Sequence, residues 1–251
     1  MTELNTSLQH IQIPNNMTEV PGIEPFDLYV YANIKRYMNH QSKEAWPSMQ
    51  TLKRVMHSGQ DKILESINRL KGRYFSIAYR DNKKVYIFSR EYSNFEPISM
   101  RFLDNPNLTS LEKSYIIATQ QYMFKDFVGL GKTSIPTSTL ADMIGMAEWA
   151  IYKCDKSLQS KGYLDIVRTR KKDFITGLPI PERIFHMDKM GQGVIWDISG
   201  TRSLSAGPGC RVSQVQKDIR MLHKLLTQKD EEIERLSSSE TEYTDLIISY
   251  E

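Results

Sequence analysis

The stretch "GLGKTS" places Gly131, Lys132 and Thr133 as at the end of a phosphate-binding loop, where backbone amides wrap a polyanion and a lysine reaches its outer oxygens. Such a loop also needs a glycine ahead of four spacer residues, a buried strand leading in, and a helix opening at the lysine. Asp126 occupies the glycine's place and would aim a carboxylate at phosphate, "SYIIATQQYMFKDF" before it has helical spacing, and Pro136 interrupts any helix from Lys132. Nucleotide hydrolysis is set aside on these grounds. No Ser, His and Asp set forms a local catalytic motif, His57 and Ser58 are adjacent only at a helix end, and no acidic cluster offers a nuclease metal site. Cys154, Cys210 and the five histidines are scattered without zinc-ligand spacing. The expectation is a protein that is no enzyme and carries no metal, cofactor or disulfide.

Cationic and amide side chains carry the remaining chemistry. The net charge of +3 hides an uneven layout: Phe26 to Arg90 hold 13 Lys/Arg against 5 Asp/Glu, while the first 25 residues hold three acids and Ser237 to Glu251 four, both without Lys or Arg. A basic middle attracts a polyanion. On a helix entering a major groove, Gln60 can pair with adenine and Lys62 with guanine or phosphate. Ser58, Asp61, Ser66, Asn68 and Arg69 belong to the same expected contact set. Arg80, Asn82, Lys83 and Lys84 cluster at a turn tip that reaches the flanking backbone or minor groove. A second set comprises Trp149, Tyr152, Lys153 and Lys156, with Arg168, Arg170, Lys171 and Lys172 beyond. An exposed Trp149 and Tyr152 also suit a protein partner.

The elements that must position these residues follow from periodicity. "FDLYVYANIKRYM" spaces Phe26, Val30, Ile34 and Tyr37 as one helical face, and "PSMQTLKRVMH" opens a second helix at Pro47 and Ser48. "QDKILESINRLKGR" sets Ile63, Leu64, Ile67 and Leu70 on one side. The period then falls to two in "YFSIAYR" and "VYIFSR", strands joined at "DNKK". Three helices and a hairpin make a winged helix. The order recurs: a long helix "LTSLEKSYIIATQQYMFKDF", a short "PTSTLADMIGM", then "EWAIYKCDKSLQSKG" and a hairpin "YLDIVRT" with "ERIFHMD". Leu52, Ile63 and Leu70 fall on Leu140, Ile151 and Leu158, each 88 residues on, and "YFSIAY" falls on "YLDIVR" 89 residues on.

The fold class expected is α+β and helix-dominated, with two tandem winged-helix domains followed by a C-terminal coiled-coil helix. Residues 1–25 read as a flexible arm, 26–92 as the first domain, 93–107 as a linker and 108–190 as the second domain. A Gly- and Ser-rich connector spans 191–211, a coiled coil 212–236 and an acidic tail 237–251. Val212, Val215, Ile219, Leu222, Leu226, Ile233 and Leu236 alternate three- and four-residue steps, interrupted only by Lys229. That seam predicts a homodimer, the alternative being an amphipathic helix packed on its own domain. No run of about 18 apolar residues offers a membrane span, and the first residues lack a secretion-signal layout, so the expected place is a cytoplasm, bacterial or of a host cell.

"WPSMQTLKRVMHSGQDKILESINRL" is similar to the helix-turn-helix segment of winged-helix proteins of bacteriophages and plasmids, where a "PS...L" start and an "I..L" helix recur. Two such domains in tandem resemble the initiators of plasmid and phage replication. The resemblance covers about Phe26 to Met190, and it departs from the family at "HSGQDKIL" and "GMAEWAIY", where Thr or Val is usual. It implies sequence-specific binding of double-stranded DNA in replication initiation or transcription regulation. A scaffold whose winged helices bind replication or transcription proteins is the alternative.

Overall fold

In the computed structural model the described residues are 10–15, 17–88, 95–125, 130–173, 177 and 179–192. The connector beyond Gln192, the heptads from Val212 to Leu236 and the acidic tail lie outside them. So does Asp126.

The first element stands where an arm was expected. In β1 (His10–Pro14) the apolar Ile11 and Ile13 alternate with polar residues and are buried, and the strand pairs antiparallel with residues Phe95–Ser99, from His10 opposite Ser99 to Pro14 opposite Phe95. Met17 and Ile23 are buried beyond it. The expectation of an arm is thus corrected for residues 10–25: alternating Ile11 and Ile13 could be buried once a partner strand was supplied from far along the chain.

α1 (Pro25–Lys35) begins on a proline, whose fixed φ suits a first helical turn, and Asp27 Oδ2 accepts the Glu24 N–H at 2.9 Å. Every residue from Pro25 to Ile34 is buried, as befits a helix surrounded by other elements. After β2 (Glu44–Ala45), α2 (Met49–Met56) is capped by Ser48, whose hydroxyl accepts the Thr51 N–H at 3.1 Å, and ends on His57 in the left-handed region at φ 49°. α3 (Gln60–Leu70) then buries Ile63, Ile67 and Leu70. β3 (Ser76–Arg80) and β4 (Lys83–Ile87) join through Asp81 and Asn82, both at positive φ, a two-residue turn that matches strand twist. β2 completes a sheet ordered β2-β4-β3.

The linker expected at 93–107 is structured from Phe95 on: β5 (Phe95–Ser99) is the partner of β1, and α4 (Met100–Asp104) buries Phe102 and Leu103. α5 (Ser110–Gln120) starts with a capping box, the Thr109 N–H donating to Glu112 at 2.7 Å, and is buried from Glu112 to Gln120. It stops short of the long helix expected, because β6 (Phe124–Lys125) and β7 (Leu130–Thr133) follow as strands. α6 (Thr137–Ile144) ends on Gly145 at φ 66° and α7 (Glu148–Ser160) buries Ala150, Ile151, Cys154, Asp155 and Leu158. β8 (Leu164–Lys172) and β9 (Pro179–His186) close a sheet ordered β6-β7-β9-β8.

The 88-residue register holds in three dimensions. α2 and α6 begin at Met49 and Thr137, α3 and α7 at Gln60 and Glu148, and the paired positions Leu52/Leu140, Ile63/Ile151 and Leu70/Leu158 are all buried. Each half therefore runs helix, strand, helix, helix, hairpin, the second half with two strands, β6 and β7, in the place of β2. The halves are not separate domains as expected: the described residues form one compact unit, with α1 packed on α5 in a shared core. The reason is burial, since α1 and α5 each need the other to cover the side that their own half leaves open.

Of the "GLGKTS" stretch, Leu130 to Thr133 form β7, with Gly131 opposite Phe185 on β9. A Cβ at Gly131 would meet Met123 Sδ at 2.7 Å and Met187 Cγ at 3.4 Å. Close packing explains that glycine.

Candidate nucleic-acid interface

The first half presents α3 and the β3–β4 turn. α3 starts at Gly59, which gives its first turn no side-chain cap, so the amides there are open to an acceptor from outside. Gln60, Asp61, Lys62, Glu65 and Asn68 are exposed, and the Lys62 ammonium lies 4.2 Å from the centre of the Phe26 ring on α1. Asn82 and Lys83 are exposed at the turn and Lys84 is half-buried. Arg80 is tied to Glu44 at 2.7 Å while staying partly in water.

Three residues expected to face DNA are turned to internal bonds. Asp27 is fully buried in α1, and a buried carboxylate requires charged or hydrogen-bonding partners. Arg69 supplies them in a fork, Nε to Oδ2 and Nη2 to Oδ1, both at 2.8 Å, with Glu24 a further 3.2 Å contact. Ser66 is buried and donates its hydroxyl to Asp27 Oδ1. Ser58 lies 3.1 Å from both Met56 O and Ser110 Oγ, stitching the turn between α2 and α3 to α5. Arg69, Ser66 and Ser58 hold α3 in place rather than reaching outward.

In the second half every expected residue is exposed. Trp149, Tyr152, Lys153 and Lys156 follow the three- and four-residue steps of one helical face, with Trp149 69% and Tyr152 68% accessible. α7, like α3, starts on a residue without a capping side chain, Ala147. Tyr152, Lys153 and Lys156 line a shallow groove of about 380 Å³ with Ser157 and Ser160. Arg168, Arg170, Lys171 and Lys172 are exposed along β8, whose pairing with β9 shifts register between Arg168 and Lys172.

A buried cluster that periodicity could not reveal fixes this surface. Arg183 on β9 donates Nε to Asp155 Oδ2 of α7 at 2.8 Å, Nη1 to Ile135 O at 3.0 Å and Nη2 to Thr137 Oγ1 at 2.7 Å, while Tyr115 of α5 donates to Asp155 Oδ1 at 2.8 Å. Burial pushes the Asp155 carboxyl above its ordinary value against the pull of Arg183, and pushes the Tyr115 hydroxyl well up. Helix, strand and helix start are thereby locked in one geometry. The available signal was an acid or base inside an otherwise buried face, Asp27 in "PFDLYV", Asp155 in "IYKCDKSL" and Arg183 in "PERIFH". Cys154 beside Asp155 is a buried thiol pushed up to about 12 by burial, which leaves it unreactive.

No protein-family profile matches the chain, and no curated protein matches it. Among solved structures it is similar to the Pi initiator protein crystallised in complex with iteron DNA, at TM-score 0.45 and 9% identity over 70% of this chain and 95% of that one. The described residues contain no helix long and apolar enough to cross a membrane.

Proposed function

We propose that the chain binds double-stranded DNA through two winged-helix units, α3 with β3–β4 and α7 with β8–β9, as a non-enzymatic protein of plasmid or phage replication initiation or of transcription regulation. The observation that carries this reading is the recurrence itself. α3 and α7 stand in one register, each follows a short helix ending in a left-handed residue, each starts without a side-chain cap, and each leads into a hairpin bearing lysine or arginine. In a helix-turn-helix, the helix in that place enters the major groove while neighbouring cations hold phosphates. The C-terminal heptads would pair two chains, so that the preferred site contains repeated or inverted half-sites.

Footprinting of the intact protein on its source DNA tests this. The expected result is protection of a defined segment with repeated half-sites, and an affinity that falls steeply with salt as phosphate counterions are released. Absence of any protected segment at low salt would overturn the reading. A second reading, a scaffold docking replication or transcription proteins, is favoured by the exposed Trp149 and Tyr152 alone. It predicts weak binding to DNA without regard to sequence.

A further inference from the structure

The two outward helix faces differ in kind. α3 offers Gln60, Lys62 and Asn68, groups that hydrogen-bond base edges, and exposes no aromatic side chain. α7 offers Trp149 and Tyr152, one helical step apart, with Lys153 and Lys156 beside them and the four cations of β8 in the hairpin that follows; its only exposed amide side chain is Gln159 in the last turn. In duplex DNA each base face is covered by its neighbours and the groove presents edges, so an indole there finds little more than a thymine methyl. In an unpaired strand the base faces are open, and they stack on exposed aromatic rings while lysine and arginine track the phosphates.

Charge narrows the occupant further. On α7 and β8 six cations, Lys153, Lys156, Arg168, Arg170, Lys171 and Lys172, outnumber the exposed acids Glu148 and Asp165, and Asp165 is itself joined to His186 at 2.8 Å. A chain of phosphates with stackable bases satisfies both the cations and the rings, whereas an apolar protein surface would leave the cations unanswered.

We infer that the α7 face of the second half takes unpaired, single-stranded DNA, with bases stacking on Trp149 and Tyr152 while Lys153, Lys156 and the β8 cations hold the phosphates. The inference rests on the reading that the second half faces DNA, and it sharpens that reading: the cations of α7 and β8 hold phosphates of a duplex or of an opened strand, while the rings of Trp149 and Tyr152 add stacking once the bases are unpaired.

The test titrates the intact protein with a labelled thymidine oligonucleotide of about 20 nucleotides, longer than a typical single-strand site, and in parallel with a duplex of the same length. The expected result is saturable binding of the single strand with quenching of tryptophan emission. The Trp149→Ala/Tyr152→Ala variant should lose about tenfold or more in single-strand affinity and distinctly less in duplex affinity, as stacking on each ring contributes strongly only where the base faces are open. Trp149→Phe should restore most of the loss, since a ring remains. Both side chains are exposed, so an unchanged melting temperature is expected and excludes unfolding as the cause. Equal single-strand affinity in wild type and double variant, or equal losses on both probes, overturns the inference. Duplex binding without single-strand binding overturns it too and leaves the duplex reading standing, whereas no binding of either probe sinks both.

Discussion

The two halves repeat one order of elements and hold their outward helix by opposite means. In the first half the buried acid is Asp27 on the leading helix and its base, Arg69, comes from α3 itself. In the second half the buried acid, Asp155, sits on α7 and its base, Arg183, comes from the hairpin strand β9. The first arrangement takes a cation off the outward helix and neutralises it. The second draws its cation from elsewhere and leaves Lys153 and Lys156 on the outside. With Asp61 and Glu65 also flanking Lys62, the face of α3 is close to neutral, although the first half of the sequence holds the larger surplus of Lys and Arg. Counting charges along a sequence therefore does not tell which helix face is basic, because tertiary pairing decides which charges of that helix remain outside.

The largest expected effect separates the two clamps. Arg183 is 1% accessible and Asp155 7%, so Arg183→Ala strands a buried carboxylate with only Tyr115 for company and should cost about 3–5 kcal/mol of stability. Arg69 is 28% accessible, and water entering the space it vacates can solvate Asp27, so Arg69→Ala should cost only about 1–3 kcal/mol. Urea denaturation of both variants measures the difference. Equal costs would show that the two clamps are energetically alike and would break the contrast. Because Arg69 carries this structural role, its removal is no clean test of DNA contact.

The second expected effect is on binding. Arg168, Arg170, Lys171 and Lys172 changed together to Ala should lower the slope of log affinity against log salt by about 3–4, at about 0.9 for each phosphate that is no longer neutralised. Lys83 and Lys84 changed to Ala in the first half should lower it by about 2 at most, on the same arithmetic. Gel-shift titrations at several salt concentrations read both slopes. A larger drop in the first-half variant would return the electrostatic weight to α3 and its hairpin.

How far the chain was legible follows the range of the interactions. The pairs Leu52/Leu140, Ile63/Ile151 and Leu70/Leu158 were readable because helical spacing is local, and all are buried. Trp149, Tyr152, Lys153 and Lys156 were readable on the same grounds, since α7 is amphipathic and its polar side faces out. Ser66 and Arg69 were misplaced because local spacing treats a polar residue as outward, while their partner Asp27 lies 42 residues before Arg69. The pairing of β1 with β5, which replaces the expected arm and linker, depends on segments joined across the whole first half. Neither Ile11 nor Ile98 announces the other locally.

The smallest expected effect tests the repeat at its tightest point. The short helix before the outward helix ends in the left-handed region in both halves, at His57 in the first and at Gly145, one repeat later, in the second. Glycine adopts that conformation freely, whereas a side chain there costs about 1 kcal/mol. His57→Gly should therefore stabilise the protein by about 0.5–1 kcal/mol, and Gly145→Ala should destabilise it by about 1 kcal/mol. A Cβ at Gly145 would meet only Ile23 O at 3.7 Å, an ordinary contact, so backbone strain is the whole of that cost. At about 2–4 °C per kcal/mol for a protein of this size, thermal melting resolves both. The two shifts should be of opposite sign, and a destabilised His57→Gly would mean that the His57 side chain contributes more than its backbone strain removes.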